Sequence, residues 1–349
     1  RIGIMKTNLA RFGRAGAIAL LLAPAWASAH HGIGAQFDLS QTIELVGEVR
    51  QLIWRNPHVR ITVAVADDND REALWVVEAQ SVSMLRSRDI SKVLLAVGDS
   101  ITLAGNPARG GKTEIYVTNV LLPDGREVIF SQRAEPRWND QVLGKTGPRF
   151  ATSGDSSEPS LGLFRVWSNA PGQGLLSNFN FDTHPLTNTA LAAADSYDRL
   201  TDNLATGECA SKGMPTIIGN PYPRDFIDQG DTIVMRLEEY DTARTIHLAS
   251  VPPEAMSPAP QVGYSVGRWD NGTLVVTTTN VSDGIFYRNI PLSEDLEMVE
   301  RFTPSADGSR LNYQMTVTDP AAFLEPAELE LYWIYVPGVT VEPYECAEG

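Results

Sequence analysis

Over two long stretches, residues 41–130 and 232–336, apolar and polar side chains alternate with a period of two, and short runs of turn residues break the alternation. A period of two puts successive side chains on opposite faces of an extended strand, so this pattern restricts the chain to sheets with one buried face. In the first stretch the strand segments are Thr42 to Val49, Val59 to Ala66, Ala73 to Ala79, Ser100 to Ala104, Ile115 to Val120 and Glu127 to Phe130. Turns are marked by Asp67-Asp68-Asn69-Asp70, Gly98-Asp99, Gly110-Gly111 and Asp124-Gly125, and one short helix is expected near Ser81 to Arg88. Short strands with a helix between the third and fourth predict a small closed barrel of the OB type. In the second stretch seven strands are expected: Thr232 to Glu239, Arg244 to Leu248, Gln261 to Trp269, Thr273 to Thr279, Glu297 to Thr303, Leu311 to Thr318 and Leu329 to Val336. Asp270-Asn271-Gly272 and Asp307-Gly308 are hairpin signals. The fold class is therefore mainly all-β: an OB-like barrel followed by an antiparallel up-and-down, lipocalin-like barrel or an open curved sheet. A helix is expected at Leu186 to Asp202.

The N-terminal residues are read separately. Met5 reads as the start, Lys6, Arg11 and Arg14 as a basic n-region, and Ala15 to Ala25 as a short apolar run. Ala27-Ser28-Ala29 then gives the small-x-small pattern of a Sec-type cleavage site, so residues 1–29 are expected to be removed after Ala29. This predicts a periplasmic or secreted protein, and no later segment has the length of a transmembrane helix. Removal of residues 1–29 leaves 24 Lys+Arg against 43 Asp+Glu, a formal charge of −19. Such a field repels nucleic acid and favours cations. The remaining Cys209 and Cys346 are expected to pair in an oxidising compartment as a structural staple, since nothing resembles C-x-x-C. Pro136, Gly144, Gly147, Pro148 and Ser153 to Ser160 mark a flexible polar linker over 131–160, which separates a module at 30–130 from one at 161–349.

His30-His31-Gly32, Phe37-Asp38, Gly47-Glu48-Val49, Trp54-Arg55-Asn56-Pro57-His58-Val59, Leu95 to Gly105 and Leu122-Pro123-Asp124-Gly125-Arg126 together resemble the DUF6152 family of exported bacterial proteins. The resemblance covers residues 30–130 and implies a fold and an address but no reaction. Val262 to Thr278, Val299-Glu300-Arg301-Phe302 and Thr318-Asp319-Pro320 resemble a second, uncharacterised group of exported bacterial proteins. That group carries an acidic residue in its hairpin where this chain has Asn271-Gly272-Thr273. It ends in Y-E-x-x-C-H-E-G where this chain has Tyr344-Glu345-Cys346-Ala347-Glu348-Gly349.

Candidate chemistry centres on the histidines. Three of the five, His30, His31 and His58, fall near the expected mature N-terminus. Cleavage after Ala29 would give His30 both an α-amine and a ring nitrogen. With His58 or His31 these form a three-nitrogen set suited to copper(II). Asp38 or Glu44 would complete the sphere and Trp54 would cap it. The alternative is a solvated His-His tail, with His58 hydrogen-bonded in the barrel.

In the second module Arg244, His247, Trp269 and Tyr313 are candidates for binding a small apolar ligand, with His247 and Arg244 the candidate catalytic pair if the barrel is an enzyme. Alternation places Arg244, Ile246 and Leu248 on one face and Thr245 and His247 on the other. The competing reading makes Glu238, Glu239 and Arg244 surface charges and the aromatics a solid core. No G-x-S-x-G, H-E-x-x-H, P-loop or nucleotide-binding glycine pattern is present, so no nucleotide cofactor is expected. The expected function is an exported binding protein for copper and a small apolar molecule or partner. The alternatives are an enzyme acting on a hydrophobic small molecule and a ligand-free envelope interaction module.

Overall fold

The computed structural model describes residues 33–66, 71–131, 134–144, 151, 153–173, 179, 183–197, 209, 211–248 and 261–346. The expected signal peptide, His30 and His31 lie outside these residues.

In the first module the strands are β1 (Ile43–Ile53), β2 (Arg60–Ala66), β3 (Glu72–Glu78), β4 (Ser100–Pro107) and β5 (Glu114–Leu121). The first half of β1 pairs with β4 and its second half with β2, with a bulge between Val49 and Gln51 that bends it. β2 continues to β3, β4 to β5, and the ring closes where β3 meets β5 in parallel. This is the connectivity of an OB-type barrel. Gly47 and Gly105 sit where strands cross most closely. A Cβ at either would lie 2.3 Å from a backbone oxygen, of Ala64 and Tyr116 respectively. The inward residues of the alternating strands, among them Val49, Ile61, Val63, Val77, Leu103 and Val117, form the core. The short helix after β3, Val82–Arg86, is capped by Ser81, whose Oγ accepts from Met84 N at 3.3 Å, and it inserts the fully buried Leu85 under the barrel. Two further short strands, β6 (Glu127–Ile129) and β7 (Val142–Leu143), extend the sheet beyond β5.

The second module is a closed barrel, not an open sheet. Its strands are β8 (Val166–Asn169), β9 (Arg224–Asp228), β10 (Thr232–Leu237), β11 (Thr242–His247), β12 (Tyr264–Asp270) and β13 (Thr273–Thr279). After a separate ribbon of β14 (Ile285–Phe286) and β15 (Ile290–Pro291) come β16 (Glu297–Pro304), β17 (Arg310–Thr318) and β18 (Ala327–Tyr335). Chain order is also the order around the barrel, and β8 closes it against β18. Neighbours are antiparallel except β11 and β12, which run parallel. Asn271 (φ 48°) and Gly272 (φ 83°) turn β12 into β13, as the hairpin signal requires. Fully buried Trp167, Phe302, Tyr313 and Trp333 fill the interior. The rings of Phe302, Tyr313 and Trp333 meet, with Tyr313 and Trp333 centroids 4.9 Å apart and Phe302 and Tyr313 5.0 Å apart.

Three expectations change. β8 and β9 lie outside the expected strands, yet they complete the barrel. They escape notice because β8 has four residues and β9 turns Arg224 inward. The expected helix spans only Asn188–Ser196, after an N-cap at Thr187. Where described, residues 131–160 are laid against both modules instead of spanning freely between them. Glu127 accepts the backbone N–H groups of Arg137 and Trp138 at 2.9 and 3.0 Å. Asp155 N donates to Tyr335 O at 2.8 Å, and a Cβ on Gly154 would lie 1.9 Å from Ser309 O. Among the described residues no helix is long and apolar enough to cross a membrane.

Candidate functional site

His58 stands at the entrance to β2, two residues after a clamped turn. Asn56, buried at the junction, accepts Val82 N at 3.0 Å and donates its side-chain amide to Tyr344 O, and its own N–H reaches Glu345 O at 3.2 Å. The ring of His58 meets the buried carboxylate of Glu78 through Nδ1. An ionised carboxylate only accepts, so Nδ1 is the donor of this bond, and in the neutral ring the lone pair then belongs to Nε2. Glu78 pairs in register with Tyr116 across β3 and β5, so their side chains leave the same face of the sheet. Tyr116 packs against Phe37, ring centroids 5.6 Å apart, and against Ile33. Tyr116 and Ile33 line a groove of about 570 Å³ together with Gln80, Asn106 and Thr118.

Ile33 is the first described residue. Through the cluster of Phe37, Ala108 and Tyr116, Ile33 lies on the side of the sheet that carries Glu78. Among the described residues no three His, Cys, Asp or Glu side chains approach one another as a metal set. Two of the proposed supplementary ligands are engaged elsewhere. Asp38 accepts from Ser40 Oγ at 2.6 Å and Gln41 Nε2 at 2.7 Å, and the Ser40 hydroxyl and N–H hold its pKa below the usual carboxylate value. Glu44 accepts from Trp138 Nε1 at 3.2 Å and lies 3.8 Å from Arg137. Trp54 packs against the barrel core.

The four candidates of the second module do not share one site. Arg244 and Tyr313 point into the barrel, both fully buried. Arg244 bonds Glu300 through both terminal nitrogens, Nη1 at 3.0 Å, and donates to Ser265 Oγ at 2.9 Å and Thr278 Oγ1 at 2.5 Å. Tyr313 donates to the same Glu300 at 2.8 Å. Burial opposes the charge of Arg244, but the adjacent Glu300 outweighs it and leaves the guanidinium above its usual pKa. Burial, and then Glu300, push the Tyr313 phenol upward. His247 lies on the opposite face of β11, half-buried and stacked on Tyr264 at 5.2 Å. Trp269 is 45 % exposed on the outside. The wall of the barrel thus separates Arg244 from His247. Together with Glu238 and Glu239, Arg244 is also no surface charge: the three are 0, 0 and 4 % exposed for Arg244, Glu238 and Glu239.

Sequence reasoning did not bring out the seam where the two modules meet. The tight turn between β10 and β11 holds Tyr240 and Asp241 at positive φ (55° and 51°) and presents Glu238 to the first module. Arg86 Nη2 meets both Glu238 oxygens at 2.9 and 3.0 Å, Ser83 donates to the carboxylate, and Glu342 N donates at 3.2 Å. Burial raises the Glu238 pKa despite these donors. The C-terminal tail crosses the seam: Tyr344 N donates to Asp241 Oδ1 at 2.9 Å, and the Tyr344 ring lies 4.8 Å from Tyr240 and 5.5 Å from Tyr222. Cys346 pairs with Asn56 in an isolated bridge and is disulfide-bonded to Cys209, 137 residues away in sequence.

Beside the seam, Arg224 is 1 % exposed over the Trp333 ring at 4.4 Å, and burial lowers its pKa to about 9. It donates to Asn169 Oδ1 and to the carbonyls of Ile218, Asn220 and Tyr222. Arg224 Nε, Trp333 Nε1, Asn220 Nδ2 and Glu239 Oε2 are buried without a hydrogen-bond partner at this end of the barrel. The signals for the seam were in the sequence as the Asn56-Pro57-His58 motif and the Cys346 tail, but nothing local shows that they touch.

Residues 19–116 match the family model of DUF6152, a family of unknown function. No curated protein and no solved structure matches the chain.

Proposed function

We propose that this DUF6152-bearing chain is an exported, periplasmic or secreted, two-module binding protein that holds copper on its first module through His58 and the N-terminal histidines His30 and His31. The observation that carries this reading is the His58–Glu78 pair. A carboxylate on one ring nitrogen fixes the tautomer and orientation of the ring and raises the basicity of the other nitrogen, the usual outer-shell support of a metal-ligating histidine. The position of Ile33 supports it further, because this residue, three positions after His30 in sequence, packs with Tyr116 on the face that carries Glu78. An α-amine and imidazoles are ligands that copper(II) takes in tetragonal geometry. The Cys209–Cys346 disulfide is consistent with an oxidising compartment. The role is carriage or sensing. Catalysis by a pair formed from Arg244 and His247 has no support, since they face opposite sides of β11.

Calorimetric titration of copper(II) into protein beginning at His30 tests the reading. Tight binding should be lost with His58→Ala and with one extra residue ahead of His30. Glu78→Gln should weaken it roughly 10–100-fold, as other outer-shell substitutions do. Absent binding, or binding indifferent to His58, overturns the proposal.

A further inference from the structure

Between the modules lies a cleft of about 580 Å³, within the size range of small-molecule sites. Five stretches remote in sequence enclose it: Met84, Arg86 and Ser87 from the first module, Ala151 from residues 131–160, Ser168 with Asn169 and Pro221–Pro223 from the barrel, and Val336–Thr340 from the tail. Its walls are pre-formed. Pro221, Pro223 and Pro337 fix their own φ angles, and the tail is pinned beyond Thr340 by Glu342 and Tyr344 and then by the disulfide. Apolar surface comes from Met84, Tyr222, Val336, Val339 and the prolines.

The cationic side chain that lines the cleft is Arg86, among neutral Ser83, Ser87, Ser168, Asn169 and Thr340. Arg86 is 41 % exposed, while its partner Glu238 is 0 % exposed behind it. The guanidinium spends only Nη2 on Glu238, so Nε and Nη1 remain as donors at the wall. Behind Asn169 and Tyr222, both lining residues, sits Arg224, hydrogen-bonded to neutral oxygens and to no carboxylate. The acidic side chain that lines the cleft is Asp89. In a chain of net charge −15, one half-exposed guanidinium on this cleft, with donors left over from its pair with Glu238, marks a place for a negatively charged oxygen.

We infer that this cleft binds a small organic acid, its apolar body between the proline walls and its carboxylate on Arg86. The site is independent of the copper reading, and ligand binding here would join the two modules by contacting both.

Calorimetric titration of the full chain with 1-naphthoate and with its methyl ester tests the inference. The acid should bind, and the ester should bind at least tenfold more weakly. Arg86→Gln should weaken binding of the acid at least tenfold. Because that substitution also takes Glu238's partner, Thr340→Trp, at an exposed lining position, fills the cleft without touching the ion pair and should weaken binding as strongly. Absence of binding by the acid, equal affinity for acid and ester, or undiminished affinity in Thr340→Trp overturns the inference.

Discussion

Glu300 carries the sharpest prediction about the second module. Its carboxylate, with no exposed surface, is the counter-ion of the equally buried Arg244 and the acceptor of the Tyr313 hydroxyl. Glu300→Gln keeps the shape and one acceptor oxygen but removes the negative charge, leaving a guanidinium in the barrel core opposite a neutral amide. Removing one partner from a buried pair costs about 3–5 kcal/mol, because the remaining charge stays desolvated. Glu300→Leu adds the loss of Tyr313's acceptor, about 1–3 kcal/mol for a buried unsatisfied hydroxyl. The double replacement Arg244→Leu with Glu300→Leu removes both charges at once, and Ser265 and Thr278 can still bond each other at 3.0 Å. Its cost should therefore fall well below the sum of the single substitutions, with a coupling of about 3 kcal/mol or more. Urea unfolding followed by tryptophan fluorescence reads this directly, since Trp333 packs against Tyr313. A cost below about 1 kcal/mol for Glu300→Gln, or additive single costs, would refute the reasoning. It would mean that Arg244 is solvated and available to a ligand after all.

Two further outcomes follow from the same geometry. Replacing both Cys209 and Cys346 by serine opens a loop of 137 residues; the chain-entropy model puts the loss at about 5 kcal/mol, and denaturation midpoints with and without reductant would check it, an unchanged midpoint refuting the tail's role. Asp307 has its carboxyl held down to about 2 by the Ser305 hydroxyl and by the N–H and hydroxyl of Ser309. With the folded pKa below the unfolded one, its stabilisation is present above pH ~4 and is lost as pH falls through about 2. Asp307→Asn should flatten that part of the acid limb in a pH series of unfolding curves, and an identical limb would contradict the assignment.

Much of the architecture was legible because period-two patterning reports which face is buried, a property each strand carries locally. In β17 the inward positions Leu311, Tyr313, Met315 and Val317 alternate with outward ones, and all four are buried. The same alternation placed Arg244 and His247 on opposite faces of β11, and the structure keeps them there. What patterning cannot give is the partner of an edge. The parallel contact of β3 with β5 closes the first barrel, and β8 closes the second, yet neither pairing is written in the residues that make it. Arg224 disguises β9 further, because an inward arginine breaks the pattern that would have marked a strand. The His58–Glu78 pair was half legible: the histidine stood out, while Glu78 looked like any solvated strand carboxylate.

The seam was the least legible because every residue in it has a plausible local use. Asn56 before proline reads as a turn, Glu238 and Glu239 read as hairpin charges, and Tyr344 reads as part of a tail. Charged side chains are almost never fully buried unless paired, and the partners of Glu238 are Ser83 and Arg86, more than 150 residues earlier. This also bears on how the modules are held together. The contacts named across the seam are hydrogen bonds, an ion pair and a bridge, supported by the tilted and edge-on rings of Tyr240, Tyr344 and Tyr222, and not an interlocking of two apolar cores. Polar junctions of this kind contribute modest net affinity, because each buried charge repays its desolvation only in good geometry. They are selective, however, since a displaced junction takes Arg86 and Ser83 away from the buried Glu238. A disulfide that keeps the tail in place is the complement such a junction needs: it supplies the persistence that the polar contacts lack, while those contacts supply the register.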